Sequence, residues 1–224
     1  AHYVLFVNYQ DFMSGIDAEA LNHEAGTVFY SGYDCDSLAM EPISAFCKSF
    51  IPFFANRPES ILEIRTKSTQ VRQLQNFQPI DNCVVAMSFT PEAASKRWEH
   101  KVPTLGKRLQ SMKKLQLAGW NIAVRFEPVI GEPGVEAEYD RLFSQTFSAL
   151  SADELHSVSL GEFRLPVQFH KNLVKLYPDE DLLARETVQS DGMLSLTAGG
   201  EALLESLEDR LLSYVDRSRY YRCA

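Results

Sequence analysis

The chain alternates between short runs of β-branched and aromatic residues and longer runs with a helical period. Six short runs predict strands, at residues 3–7, 27–31, 61–66, 84–89, 121–126 and 156–160. These runs are too apolar, or too mixed, for a sheet with one face in water. We therefore expect a sheet that is covered on both faces.

Between the strands, apolar residues recur at the spacing of helix faces. In 104–118 the residues on one face are Leu105, Leu109, Met112 and Leu115. Gly119 then provides the stop. Further helices are predicted over 134–149, 166–176 (with Pro166 as first helical residue), 200–214, 38–55, 69–77 and 11–24. The weakly patterned stretch 178–199 predicts a loop or a small hairpin.

Strand and helix follow each other about five times, which is typical of an α/β fold with a parallel sheet. An open doubly wound sheet and a partial barrel both fit this order. The length of 224 residues allows one large domain or two small ones.

Composition and charge narrow the class of protein. The formal net charge of −8 argues against bulk electrostatic binding of nucleic acid, although basic residues concentrate in 96–114. No apolar run is long enough to span a membrane, and the start has neither a basic region nor a cleavage site. The four cysteines are widely and irregularly spaced, so we expect reduced thiols in a cytoplasmic protein and no readable metal site.

Polar residues follow each predicted strand after the first. In parallel α/β folds ligands bind at the carboxyl ends of the strands, so these residues predict a site along one edge of the sheet. In chain order they are Gly32, Tyr33, Asp34, Cys35, Asp36 and Ser37; Thr66, Lys67 and Ser68; Ser88, Thr90 and Glu92; Glu127 and Pro128; and Gly161, Glu162 and Arg164.

Several of these residues also have an ordinary structural explanation. Asp36 or Ser37 could cap a following helix, and Lys67 could be a solvated lysine. Ser88 could be a satisfied core hydroxyl, and Cys35 an inert thiol, since no histidine lies near it in sequence.

Glu127 is the sharpest candidate, because a carboxylate at the end of a buried strand needs a partner or water. Arg65 or Arg125 could be that partner. No nucleotide-binding, zinc-protease or serine-hydrolase motif is present. The residues alone therefore predict an α/β domain with a polar site at the strand ends.

A series of segments nevertheless resembles the spore photoproduct lyase family of radical S-adenosylmethionine (SAM) enzymes. The resemblance covers residues 1–180 or so. It rests on SGYDCDSLAMEPIS, LEIRTKS, AMSFTPE, EHKVPTLGKRLQSMKKLQLAGWNIAVRFEPVIG, SLGEFRLP and LVKLYPDE.

This resemblance implies a partial (β/α)6 TIM-like barrel. In the family, a 4Fe–4S cluster is held by three cysteines spaced C-x-x-x-C-x-x-C after the first strand, and SAM chelates the open iron. Reduction by a donor such as ferredoxin or flavodoxin cleaves SAM to a 5′-deoxyadenosyl radical, which abstracts hydrogen from the substrate. In the name-giving enzymes the substrate is a thymine dimer in DNA.

The resemblance also implies cofactor-binding residues. Gly32, Tyr33, Asp36 and Ser37 fall where the second-strand loop approaches the SAM amino group. Tyr33 stands at the position of a family glutamate, which leaves Asp36 as the acceptor. The catalytic residue stays unknown, with Cys35 as the candidate thiol.

Three further positions complete the implied SAM site. Lys67 falls where a lysine meets the SAM carboxylate. Ser88 falls at a hydroxyl that reaches SAM. Glu127, followed by Pro128, falls near the adenine or ribose.

The sequence departs from the family in two ways. The cluster cysteines are absent, so we expect a chain that begins just after them, lacks the first strand and cluster loop, and is inactive as given. The DNA-repair members carry a hydrogen-donor cysteine near Tyr33 and a basic, aromatic late hairpin, whereas this chain reads QSDGMLSLTAGG in the corresponding late region. We expect a monomer with the barrel in 1–177 and a C-terminal segment, 178–224, packed on it.

Two other functions fit the residues. One is a binding module for nucleic acid or another ligand that does no chemistry, using Lys96, Arg97, Lys107 and Arg108. The other is a metal-free hydrolase or lyase with Asp34, Asp36 and Glu127 as acid–base groups.

Overall fold

The computed structural model describes residues 5–23, 26–32, 35–196 and 200–223. In chain order the elements are α1 (Tyr9–Ala20), β1 (Thr27–Ser31), α2 (Glu41–Ser44), α3 (Phe46–Ala55), β2 (Ser60–Thr66), β3 (Cys83–Ser88), α4 (Glu92–Trp98), α5 (Leu105–Leu117), β4 (Asn121–Val129), α6 (Val135–Ala149), β5 (Ser157–Glu162), β6 (Arg164–Pro166), α7 (Val167–Leu176), β7 (Thr187–Ser190), β8 (Met193–Leu196), α8 (Gly200–Leu211) and β9 (Tyr220–Arg222). The chain divides into two compact units, one from 1–87 and 103–123 and one from 88–102 and 124–224.

The first unit is built on parallel strands. β1 pairs with β2, and β2 pairs with β3, both in parallel. All but one residue of β3 and most residues of β2 are buried, which confirms that these strands are covered on both faces. Val84 and Ala86 of β3 form an apolar cluster with Ala123, and Ile61 packs against it.

One sheet contains six strands in the order β1, β2, β3, β4, β5, β9. The order follows the chain until the end, where β9 pairs in parallel with β5 and places Leu160 opposite Arg222. The sequence analysis did not predict β9. A three-residue strand carries too short a pattern to be read without its partner.

The second unit also carries a small antiparallel sheet in the order β6, β8, β7. The β7–β8 turn has positive φ at Asp191 (48°) and Gly192 (78°), the conformation that favours a two-residue hairpin loop. The hairpin expected within 178–199 is therefore confirmed. Ile130, Leu182 and Leu196 form the apolar cluster beneath it, with Trp98 and Phe163 packed against them.

The strongly periodic helices lie close to their predicted positions. The predicted apolar face of α5 is buried, and Gly119 (φ 87°) ends the helix. The predicted helix over 38–55 is instead divided at Ala45 (φ 49°). The buried carboxylate of Glu41 accepts the backbone N–H of Cys47 (3.1 Å) and so caps α3 from the preceding turn.

Other local predictions were wrong. Residues 69–77 contain only a 3-10 turn at Leu74–Asn76. Pro166 ends β6 and precedes α7 rather than opening it, and α4 was not predicted. Of the predicted strand 3–7, residues 3 and 4 lie outside the described ranges, and Leu5–Val7 are exposed and not in a strand. An apolar run forms a strand only where a neighbouring strand takes its backbone groups.

Among the helices of the described residues, none has the length and apolar character needed to cross a membrane.

Candidate functional site

The loop after β1 is closed tightly onto the end of β2. Gly32 has φ 80°, and a Cβ added to it would lie 2.7 Å from the backbone oxygen of Arg65. The backbone N–H of Ser37 donates to that same oxygen (3.1 Å), and the Ser37 and Ser31 hydroxyls are 2.8 Å apart. Only glycine combines this φ with this close approach.

Asp36 joins the same loop to β2 through its carboxylate. Oδ1 accepts the backbone N–H groups of Leu38 and Ala39 (both 2.9 Å) and the hydroxyl of Thr66 (2.7 Å). Oδ2 accepts the backbone N–H of Lys67 (2.7 Å). A carboxylate has about four lone-pair sites, so the donors of the chain itself match the capacity of this group.

This network joins two of the predicted site segments. Asp36 acts as a cap for the turn that follows it, and it also fixes the backbone at Lys67, 31 residues further on. Ser37 and Lys67 are half-buried beside it. A lysine and hydroxyl-bearing residues at one strand edge suit a ligand with a free amino acid group, which is the chemistry of the methionine part of SAM.

Two neighbouring predictions cannot be placed. Tyr33 and Asp34 lie outside the described residues. Cys35 is exposed.

In the second unit, Glu127 lies near the end of β4 and is half-buried. The hydroxyl of Ser159, which is fully buried on β5, donates to Glu127 Oε1. The carboxylate therefore has a hydrogen-bond donor, as a group at this depth requires. Arg65 and Arg125 were suggested as structural partners of Glu127. Arg65 pairs with Glu63 (2.8 Å), and both terminal nitrogens of Arg125 donate to the Ser157 hydroxyl (3.1 Å).

The end of the described chain reaches the same place. The backbone N–H of Cys223 donates to Leu160 (2.9 Å). A Cβ added at Gly161 would lie 2.9 Å from Cys223 Cβ and 3.2 Å from Glu127 Cγ. Because Gly161 has no side chain, Cys223, the residue after β9, and the side chain of Glu127 can both lie close to it.

Ser88, the remaining predicted residue, is the last residue of β3 and is half-buried. Phe89 follows it and donates its backbone N–H to Arg125 (2.8 Å). The roles of Ser88, Glu127 and Lys67 toward a cofactor stay predictions.

The described cysteines do not fit an iron–sulfur cluster. Iron binds thiolates, but burial raises the pKa of Cys83 to about 12, and burial together with the Glu41 carboxylate raises the pKa of Cys47 further above its usual range. Across the described ranges, no group of three or more cysteine, histidine or acidic side chains could hold a metal ion.

Three of the seven basic residues in 96–114 are paired or buried, and Lys101, Lys107, Lys113 and Lys114 are exposed. Arg108 is fully buried. Arg97 pairs with Glu132 and Asp181, and Lys96 pairs with Glu92. These contacts remove most of the nucleic-acid-binding face suggested by the sequence.

Sequence reasoning missed two residues that the structure brings to the candidate site, Ser159 and Cys223. Ser159 and Gly161 alternate on β5 with Leu160, so the period of a strand already puts them on one face, and Ser159 meets Glu127 there. Cys223 carried no local signal, because it reaches this edge only through the pairing of β9 with β5.

These features define an α/β protein of the class that binds ligands where strands end in polar loops. A family model described as spore photoproduct lyase matches residues 3–190. The chain therefore belongs to the spore photoproduct lyase family.

A curated relative, the spore photoproduct lyase of Clostridium acetobutylicum, is 22% identical over 156 residues, which are 70% of this chain and 46% of the relative. The chain thus spans about half the length of the curated relative it matches.

Solved structures have the same fold. Spore photoproduct lyase complexed with dinucleoside spore photoproduct matches with a TM-score of 0.82 at 16% identity, covering 98% of this chain and 68% of that one. A double mutant of spore photoproduct lyase with bound AdoMet and dinucleoside spore photoproduct matches with a TM-score of 0.81 at 15% identity, covering 97% and 67%. The predicted α/β fold with a partial barrel is confirmed.

Proposed function

We propose that the protein containing this chain is a radical SAM enzyme of the spore photoproduct lyase type. It cleaves SAM to a 5′-deoxyadenosyl radical and abstracts hydrogen from a photoproduct in DNA. The observation that carries the proposal is the family match over residues 3–190, which includes both polar edges described above.

In this proposal the loop after β1 and the end of β2 receive the methionine part of SAM. Lys67 is the cation that meets the SAM carboxylate, and Gly32 and Ser37 line the approach of its amino group. We assign Asp36 first to holding this loop and the Lys67 backbone in place, because four donors already address its carboxylate. Tyr33 is proposed to complete the loop.

Ser88 and Glu127 are proposed to face the adenosine part. The Ser159 hydroxyl donates to one oxygen of Glu127 and so orients a carboxylate that is proposed to accept from a ribose hydroxyl. Cys35 has an exposed thiol and is the candidate for a reactive side chain that faces the substrate.

The cluster that supplies the electron is assigned to cysteines outside these 224 residues, because the described thiols do not fit it. We further propose that ferredoxin or flavodoxin is the reductant, and that the protein is a cytoplasmic monomer. Its barrel occupies 1–177, and 178–224 packs on it.

Affinity for a SAM analogue tests the assigned residues without the cluster. Isothermal titration with S-adenosylhomocysteine is compared for the unchanged chain, Lys67→Ala and Lys48→Ala. Lys48 is an exposed lysine of the same unit and serves as the matched control. We expect Lys67→Ala to weaken binding about tenfold, since it removes a charge-assisted hydrogen bond, and Lys48→Ala to leave binding unchanged.

The activity is tested on the full-length protein after anaerobic reconstitution with iron and sulfide. The expected product is 5′-deoxyadenosine, detected by mass spectrometry after addition of a reductant. A reconstituted protein that holds a 4Fe–4S cluster and forms no 5′-deoxyadenosine would contradict the enzymatic proposal.

A further inference from the structure

Helix α7 leaves much of its apolar side in contact with solvent. None of its residues is buried, although its apolar and polar residues separate onto different faces. Phe169 is 51% exposed, Leu176 69%, and Tyr177, at its end, 56%. Ordinary surface helices bury such a stripe, so this exposed patch calls for a covering partner.

The exposed surface of α7 is apolar on one flank of the helix and basic on the other. At 100° per residue, Phe169 and Leu176 fall on one flank, and Lys171 and Lys175 fall on the other. The amides of Gln168 and Asn172 lie between the two flanks and hydrogen-bond to each other (3.3 Å). The helix thus presents an apolar strip and a basic strip, separated by polar amides.

The basic strip is not neutralised within the described residues. There, neither Lys171 nor Lys175 has a carboxylate within ion-pair distance, whereas Lys96 and Arg97 on α4 are each paired with an acid. The nearest acids that follow in sequence are Asp179, Glu180 and Asp181, just after the helix, and of these Asp181 pairs with Arg97.

We propose that this face of α7 docks a single strand of nucleic acid, with bases stacked on Phe169 and phosphates held by Lys171 and Lys175. An aromatic ring and cations on the exposed surface of one element are the groups by which proteins bind single strands without reading sequence. The choice of DNA rests on the proposed function, in which this strand flanks the damaged base.

The neighbouring hairpin offers no equivalent surface. Residues 187–196, which form β7, β8 and their turn, contain no lysine, arginine or aromatic residue. α7 packs against β6 and β8 of the same small sheet. His170 of α7 is hydrogen-bonded through Nε2 to the backbone oxygen of Leu183 (3.1 Å). Helix α7, which carries Phe169, therefore packs on the same small sheet to which the hairpin belongs.

The test is fluorescence anisotropy of a labelled oligothymidine with the chain, at a low and at a moderate salt concentration. The variants are Lys171→Glu/Lys175→Glu and Phe169→Ala. Their matched controls are Lys113→Glu/Lys114→Glu on α5, which makes the same change in charge, and Phe12→Ala, which removes an exposed ring of α1. Far-ultraviolet circular dichroism and thermal unfolding check that each variant is folded.

We expect Lys171→Glu/Lys175→Glu to weaken binding at least tenfold at low salt. Loss of two phosphate contacts on a single strand should also make the slope of log affinity against log salt shallower by about 1.4. Phe169→Ala should weaken binding about tenfold, in the range found for one stacked base. Both control variants should bind like the unchanged chain.

The proposal is overturned if the unchanged chain does not bind the oligomer at low salt, or if the α5 charge control loses as much affinity as the α7 variant. It is also overturned if α7 binds anionic phospholipid vesicles and not DNA. None of these measurements needs SAM or a cluster. A failure of SAM cleavage would therefore leave this result standing, and a failure of DNA docking would leave the SAM proposal standing.

Discussion

At the scale of single residues, the candidate site depends on two groups whose chemical identity fixes the loop after β1. Gly32 allows the chain to turn against the backbone of β2, and Asp36 supplies the acceptors that hold it there. Both contacts join segments about thirty residues apart in the chain, so each side chain decides whether the polar ends of β1 and β2 form one edge.

Replacing Gly32 by alanine should destabilise the fold more than the same change at Gly134. Both glycines have a similar positive φ, 80° and 77°, but only Gly32 has backbone atoms where the new Cβ would lie. We expect Gly134→Ala to cost about 1–2 kcal/mol from the left-handed conformation, and Gly32→Ala to cost a further ~1–3 kcal/mol from the overlap. Urea unfolding of both variants measures the difference, and equal costs would contradict the close approach.

Replacing Asp36 by asparagine keeps the shape of the side chain but reduces its capacity to accept hydrogen bonds, so it tests which of the two holds the loop. With the amide oxygen in place of Oδ1, which accepts from three donors, the amide nitrogen would replace Oδ2 and turn its hydrogens toward the Lys67 N–H. We expect a loss of about 2 kcal/mol in the free energy of unfolding.

The control for this change is Asp179→Asn, at an exposed position, which should change stability by less than about 0.5 kcal/mol. Equal stabilities of Asp36→Asn and the unchanged chain in urea unfolding would mean that the network around Asp36 contributes nothing.

At the scale of elements, the added strand β9 is tied to α8 through one carboxylate. Glu208 of α8 accepts from Arg217, from the Tyr220 hydroxyl (2.9 Å) and from Arg222 (2.8 Å). Burial opposes ionisation of Glu208, but these hydrogen bonds outweigh it and lower the pKa of this carboxyl below its usual value. Burial, together with the hydrogen bond to Glu208, raises the pKa of Tyr220 to about 12.

This pairing predicts a stability that falls in acid. Because the pKa of Glu208 is lower in the folded state, its contribution is fully present above the usual value of 4.5 and is lost as the pH falls through the folded pKa. We expect Glu208→Gln to be less stable than the unchanged chain near pH 7, about as stable near pH 3, and the gap to close between them.

Urea midpoints across this pH range measure the effect. Glu205→Gln, at an exposed position of the same helix, is the control and should follow the unchanged chain at every pH. A gap between Glu208→Gln and the unchanged chain that does not depend on pH would mean that the charge of Glu208 is not what ties β9 to α8.

At the scale of the whole molecule, the chain provides polar strand ends suited to a cofactor but no set of thiolates suited to a cluster. Of the cysteines, Cys47 and Cys83 are buried with raised pKa values, Cys35 is exposed, and Cys223 lies beside Glu127 and Gly161. Their surroundings differ too much for them to act as one ligand set.

The 224-residue chain should therefore retain no cluster. After anaerobic treatment with iron and sulfide followed by desalting, we expect no bound iron above the level seen with all four cysteines alkylated beforehand. Iron and sulfide that stay bound in equal amounts, and are lost in Cys35→Ala, would show that the chain holds a cluster of its own.

Much of the fold could be read from the sequence because periodicity is local. A window of six to fifteen residues is enough to recognise the pattern of the buried strands β2 and β3 and of the helices α5 and α6. The short β9, the division at Ala45 and the irregular backbone at the described residues Leu5–Val7 were not predicted, because each depends on a partner far along the chain or on a single side-chain cap.

The sequence by itself determined the α/β class, the polar strand ends and the family, since these reside in order, period and residue type. Only the tertiary structure decided how the polar groups are used. It commits the Asp36 carboxylate to donors 2 to 31 residues away, buries Arg108, pairs Arg97, and leaves Lys171 without an acidic partner among the described residues. Ion pairs and hydrogen bonds are set by distance in space, which the spacing of residues along a chain does not encode.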